Sequence, residues 1–227
     1  MTDQMRLPGL LEQGAGKLRI YSGFSFTIEP EILALSVGLV SGPKWISKSC
    51  RQFPKHPILL DNGAFPAWQT GIDLPYSEQI ASVLSGAELA KSKGLLAAVI
   101  APDIVGAGPK SWERTMRSLE PLSGYKLLLP VQEGVDIERA VDVCRERAAG
   151  LFIGGKTFGF KRRAAKQING RVYTHAGRIS REGYLWTFSS LVDAIDSTTW
   201  VRSQHWNKSK NWAQILRPYA KVDNGYI

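Results

Sequence analysis

Cysteine is scarce in this chain. Cys50 and Cys144 are the only two thiols among 227 residues, too few for a cysteine-rich zinc module, and a reduced, cytoplasmic protein is the expected setting. No apolar run approaches the roughly 18 residues that a membrane span needs. The opening MTDQMRLPGLLEQG has no basic segment followed by an apolar one, so it does not read as a secretory leader. Low-complexity tracts, internal repeats and obvious linkers are also missing, and residues 1–227 read as one domain. Acidic residues are in deficit: 20 Asp and Glu stand against 29 Lys and Arg, a net charge of +9. That excess suits a polyanionic partner, because each cation that meets a phosphate releases counterions; it equally suits a solvated basic surface.

What is present begins with GLFIGGKT, residues 150–157, which matches the phosphate-loop pattern G-x-x-x-x-G-K-[ST] letter for letter. The pattern needs a strand before its first glycine and loop at the four variable positions. Here the helical segment ERAVDVCRERAA precedes Gly150, and Leu151, Phe152 and Ile153 fill the loop positions. An apolar loop over a triphosphate makes no physical sense, so the segment reads as a strand ending in Gly154-Gly155.

Seven further runs have the same character: LRIYSG (18–23), ILALSV (32–37), PILLDNGAF (57–65), LLAAVIAPD (95–103), KLLLPVQE (126–133), RVYTHAGR (171–178) and DAIDSTTW (193–200). Each is apolar or β-branched and exits into Gly, Pro, Asp or Asn, the signature of a buried strand. Helix-like segments separate several of them, such as YSEQIASVLSGAELAKSKG, closed by Gly94. Alternating strands and helices imply a parallel sheet, and eight units predict a compact (β/α)8 barrel of the TIM type. The first two runs sit too close together for a full helix between them.

In such a barrel, function gathers at the C-terminal ends of the strands. The predicted exits carry Asp61-Asn62-Gly63, Asp103, Gln132-Glu133, Gly154-Gly155, His175 with Arg178, and Asp196. Asp and Gln side chains can read the amide-like edge of a purine, glycine N–H groups can meet its carbonyl, and two carboxylates can exchange a group at an anomeric carbon. His175 is given no chemistry beyond a hydrogen bond. Trp200 reads as core or loop packing.

In these residues the chain resembles the tRNA-guanine transglycosylase superfamily, most closely its phage DNA-guanine branch of the DpdA type. PILLDNGAF is similar to the family strand ending in D-S-G-G-F, LLLPVQEG to its V-Q-G-G segment, and LFIGG to its strand ending in two glycines. AIDSTTW stands where the family carries its nucleophilic aspartate, and the correspondence keeps chain order from about residue 57 to 202. The resemblance implies that Asp196 attacks C1′ of a guanine nucleotide to form a covalent glycosyl intermediate. It makes Asp61 the general acid/base, and Asp103, Gln132, Gly154 and Gly155 the base-reading groups. No cofactor is required for that exchange. The implied partners are DNA, with its guanine flipped from the stack, and a 7-deazaguanine as second substrate.

The departures are informative. The tRNA enzymes carry a three-Cys, one-His zinc site that two cysteines cannot supply, and they are longer; both differences favour DNA over tRNA. Asn62 and Ala64 replace the family serine and second glycine, and Lys156-Thr157 follow Gly155. Lys161, Arg162, Arg163, Lys166, Arg171 and Arg178, then Arg202, Lys208, Lys210 and Arg217, interleaved with Trp206 and Trp212, suit a groove that tracks a nucleic-acid backbone; the alternative is a basic helix face with core tryptophans, and the tryptophans themselves read as core. The competing readings are a tRNA enzyme, a non-catalytic nucleic-acid or purine-binding module, and a sugar-phosphate barrel using Gly154 to Thr157 as an anion site.

Overall fold

Eight short apolar strands form the centre of the molecule: β1 (Arg19–Gly23), β2 (Gly38–Ser41), β3 (Ile58–Leu60), β4 (Leu96–Ile100), β5 (Leu127–Val131), β6 (Gly150–Ile153), β7 (Thr174–Ala176) and β8 (Ala194–Ser197). The computed structural model of the protein describes residues 18–202 and 211–220. All neighbouring strands run parallel, and β8 pairs back onto β1 through Arg19–Ala194, Ile20–Ile195, Tyr21–Asp196 and Ser22–Ser197, closing the barrel. The (β/α)8 architecture expected from the alternating pattern is therefore the observed one.

Ten helices accompany the strands: α1 (Pro30–Leu35), α2 (Ile46–Gln52), α3 (Ala64–Gln69), α4 (Tyr76–Ser92), α5 (Pro109–Arg117), α6 (Ile137–Glu146), α7 (Phe158–Ile168), α8 (Glu182–Phe188), α9 (Thr199–Arg202) and α10 (Trp212–Leu216), among the described residues. Ile58, Leu60, Val99, Leu129, Leu151 and Ile153 point outward and are buried against this layer by Val83, Ala87, Val141 and Ala164. Trp200 and Trp212 are both buried, with ring centroids 6.2 Å apart, so neither is a stacking platform.

One strand differs from the sequence reading. ILALSV forms no strand: residues 30–35 are helix α1, and the second strand is GLVS, residues 38–41. Pro30 sits in the first helical turn, where its missing N–H costs nothing, and Ile32 and Leu35 are buried one turn apart. A six-residue apolar run does not by itself distinguish strand from helix. Gly38 starts β2 because a Cβ there would meet the Pro57 carbonyl at 2.6 Å.

Strand parity decides what reaches the mouth. Successive strand residues face opposite sides, and Leu59, Ala98, Leu128, Phe152, Tyr173 and Ala194 pack into the barrel interior. Stepping by two along the same inward register gives Asp61 after Leu59, Ile100 after Ala98, Gln132 four beyond Leu128, Gly154 after Phe152, His175 after Tyr173 and Asp196 after Ala194. Asp61, Gln132, His175 and Asp196 thus make the last inward layer polar, with Ile100 and Gly154 as its two non-polar positions.

Candidate active site

That layer floors a cavity of about 360 Å³, lined by Asp61, Asn62, Asp103, Gln132, Gly154, Gly155, Asp196 and Arg178, with Phe65 and Trp68 from α3, Lys156 and Lys161. All six residues assigned to catalysis and base reading lie on this one cavity.

Asp196 has both carboxylate oxygens engaged. Its Oδ2 lies 2.8 Å from His175 Nε2, and its Oδ1 accepts the Arg178 backbone N–H at 3.2 Å. Arg178 adopts φ +58°, a left-handed conformation that aims this N–H back at β8. His175 is fully buried, stacked on Phe152 with centroids 5.3 Å apart, and among the described residues its Nδ1 has no partner. A bare nitrogen lone pair costs less than a bare N–H, which places the ring proton on Nε2, donating to Asp196. The histidine left without chemistry in the sequence reading is thus the side chain that orients Asp196. Counting the inward parity of β7 would have found it.

Asp61 is turned by its own loop: its Oδ1 accepts the Gly63 N–H at 2.9 Å, and Gly63 has φ +77°. Desolvation raises its pKa, the Gly63 N–H opposes that, and the charge of Asp196 raises it further. The two aspartates therefore share a cavity, and the charge of Asp196 reaches Asp61.

Asp103 lies deeper. Desolvation pushes its pKa up to about 6, although the amide donors of Gln132 and Asn62 pull the other way. Asn62 Nδ2 reaches Asp103 Oδ1 at 2.9 Å and the Ala101 carbonyl at 2.6 Å, and Gln132 Nε2 donates to Asp103 Oδ2. Gln132 Oε1 accepts the Gly106 N–H at 2.6 Å. Behind them Gln79 Nε2 donates to the Asn62 and Asp103 carbonyls and its Oε1 accepts from Arg114. Sequence reasoning missed this network, because Asn62, Gln79 and Arg114 come from three separate elements. It ties Asp103 and Gln132 to each other, leaving each one part of its hydrogen-bonding capacity for a ligand.

The glycine pair divides. The Gly154 N–H is used by the Val131 carbonyl at 3.0 Å, so it is not a free donor to a base. Gly155 has φ +77°, and a Cβ there would meet Phe160 at 2.6 Å and Glu133 Oε2 at 2.9 Å. Its turn and packing alone require glycine. Just beyond, Glu133 Oε1 accepts the N–H groups of Lys156 and Thr157 at 2.9 and 3.0 Å. Burial raises the Glu133 pKa, but these bonds outweigh it and leave it lowered. The protein's own carboxylate occupies the N–H groups at the α7 N-terminus, which counts against the phosphate-loop and sugar-phosphate readings of Gly154 to Thr157.

The basic residues separate too. Lys161 is not a surface contact: it is 7% exposed and donates to the Gly177 carbonyl inside the cavity. Arg178 lies with its guanidinium 3.4 Å from the Phe65 ring centroid, and the Lys156 ammonium lies 4.9 Å from that of Trp68. These two contacts lay cations across α3 at the mouth. Arg171 is committed to Glu138 through two 2.8 Å contacts. Arg162, Arg163, Lys166 and Arg217 are exposed. The Arg202 side chain, Lys208, Lys210 and Trp206 lie outside the described residues. Among the described residues no cluster of three His, Cys, Asp or Glu could hold a metal ion, and no helix is long and apolar enough to cross a membrane.

No family model and no curated protein matches the chain. Solved structures do. QR15, an aldolase, has 14% identity and a TM-score of 0.54, covering 81% of this chain and 90% of that one. A protein of Aquifex aeolicus VF5, solved in a structural study, has 12% identity and a TM-score of 0.53 over 89% and 91%. Tryptophan synthase from M. tuberculosis, in an open form with BRD0059 bound, has 11% identity and a TM-score of 0.51 over 89% and 90%. At such identities the likeness establishes the TIM-barrel fold and nothing about chemistry.

Proposed function

We propose that the protein is a base-exchanging transglycosylase that replaces guanine in DNA by a 7-deazaguanine such as 7-cyano-7-deazaguanine. The observation that carries this reading is the placement of Asp61 and Asp196 on one cavity, with Asp61 within reach of the Asp196 charge. A volume of about 360 Å³ suits a purine with its sugar.

In this reading Asp196 Oδ attacks C1′ and forms a glycosyl ester. The guanine departs with the bonding electrons and takes a proton from Asp61, whose raised pKa suits an acid. The incoming 7-deazaguanine gives its N9 proton to Asp61, attacks C1′ and releases Asp196. Two inversions at one carbon retain the β-configuration. His175 Nε2–H and the Arg178 N–H hold the Asp196 carboxylate for both steps. The second Gln132 N–H, the remaining lone pairs of Asp103 and the Gly155 N–H are the groups left to read the base.

The test offers labelled 7-deazaguanine to the protein with guanine-containing DNA and, separately, with tRNA. Label is expected in DNA, with one guanine released per label incorporated, and Asp196→Asn and Asp61→Asn should each abolish it. Label entering only tRNA would move the activity to the RNA enzyme. Label in neither, with nucleic acid still bound, would leave a binding module.

A further inference from the structure

One cavity group has no part in base exchange. Lys161 stands in the first turn of α7, which Thr157 caps by accepting the Phe160 N–H at 3.2 Å. Its side chain runs inward, 7% exposed, to the cavity that holds Asp61 and Asp196. Among the described residues its hydrogen-bond partner is the Gly177 carbonyl, one acceptor for an amine able to donate three times. Burial lowers its pKa to about 8; Asp196 on β8 opposes this, Arg178 beyond β7 adds to it, and Glu133 beyond β5 opposes it. Buried amines of this kind carry enough free base near neutral pH to act as nucleophiles toward carbonyls. Lys156, at the same mouth, is exposed and lies against Trp68.

We infer that Lys161 forms an imine with the C1′ aldehyde of an abasic deoxyribose held in this cavity, giving the protein a strand-cleaving lyase activity. Only the source of that sugar rests on the base-exchange reading: water, in place of an incoming base, hydrolyses the aspartyl ester and leaves a hemiacetal that opens to the aldehyde. The Lys161 amine adds to C1′, and the carbinolamine loses water to become a protonated imine. A cavity carboxylate, Asp61 or Asp196, removes the acidified C2′ proton. The C3′–O bond then breaks, and the 3′-phosphate leaves with its electron pair. Water finally hydrolyses the conjugated imine and returns the free lysine.

The test presents the full chain with duplex DNA containing an abasic site, and in parallel with 2-deoxyribose 5-phosphate, in the presence of sodium borohydride. Reduction converts the imine to a stable secondary amine, read by mass and located by peptide mapping. The expected result is an adduct on Lys161 with both probes, lost to background in Lys161→Arg and Lys161→Met, whose folding is checked by thermal melting. If either variant unfolds, the mapped position in the unaltered protein still decides. Adduct on Lys156 or another lysine, no adduct with either probe, or equal trapping in folded Lys161→Arg would overturn the inference. Neither probe requires base exchange. Trapping without exchange would therefore remove the proposed function and leave the lyase, and exchange without trapping would do the reverse.

Discussion

At Asp196, two donors fix a carboxylate that would otherwise rotate freely: His175 Nε2 at 2.8 Å and the Arg178 N–H at 3.2 Å. Removing a hydrogen bond to a charged group costs about 1.5–3 kcal/mol. His175→Phe is therefore expected to lower the single-turnover exchange rate roughly 10- to 100-fold with little change in KM, because the loss falls on orientation rather than on base binding. His175→Gln, which keeps an N–H near the Nε2 position, should recover part of that rate. Equal loss in both variants would argue against orientation. Asp103 makes a different prediction. Its folded pKa of about 6 lies above the ordinary carboxylate value of 3.8, so the folded state holds its proton more tightly. This contribution is fully present below pH 4 and is lost as pH rises through 6, amounting to roughly 2–3 kcal/mol. Urea melts from pH 4 to 7 should show that loss in the unaltered protein, superimposed on other carboxylates, and a flatter difference curve in Asp103→Asn. These residues were legible in the sequence as acids at strand exits. Inward parity on β7 places His175 in the same layer, but the pairing itself, and the Arg178 N–H that completes it, depend on the register between β7 and β8, which spacing along the chain does not give.

At the scale of elements, the turn from β6 into α7 was legible and its chemistry was not. The apolar run Leu151 to Ile153, following a helical segment and ending in two glycines, reads as a strand, and the structure has it paired on both sides. Nothing in the spacing indicates that Glu133, from the preceding strand exit, occupies the α7 N-terminus. Glu133→Gln should therefore destabilise the protein by about 0.5–1 kcal/mol through the lost helix-terminus charge. The paired glycines test their separate roles. Gly155→Ala is expected to cost about 1–3 kcal/mol, from its left-handed backbone and the contact with Phe160. A Cβ on Gly154 would meet only ordinary contacts at 3.5 Å and beyond, so Gly154→Ala should melt at or above the parent temperature. If a base lies flat against Gly154, the same variant will bind 7-deazaguanine more weakly despite its stability. The helix–strand exchange at residues 30–41 was illegible for a related reason: β2 is only four residues long, and its neighbour α1 is the more apolar segment.

The whole molecule carries a net charge of +9, but its cations are not equivalent. Lys161 faces the cavity, Arg171 is paired with Glu138, and Arg162 and Arg163 are exposed on α7. DNA affinity measured against salt should lose about 0.9 from its logarithmic slope for each phosphate-contacting arginine replaced. Arg162→Ala with Arg163→Ala is thus expected to flatten it by roughly 2, whereas Arg171→Ala should leave it unchanged; the opposite order would place the nucleic acid elsewhere. Barrel class was legible because seven of the eight strand runs announced themselves. The topology has one more effect. β1 finds its second neighbour only in β8, and Tyr21 is in register with Asp196 itself. During synthesis the first strand must wait for nearly the whole chain to emerge. Asp196 thus arrives on the stave that seals the ring, so the cavity it shares with Asp61 is assembled only after β8 has been made.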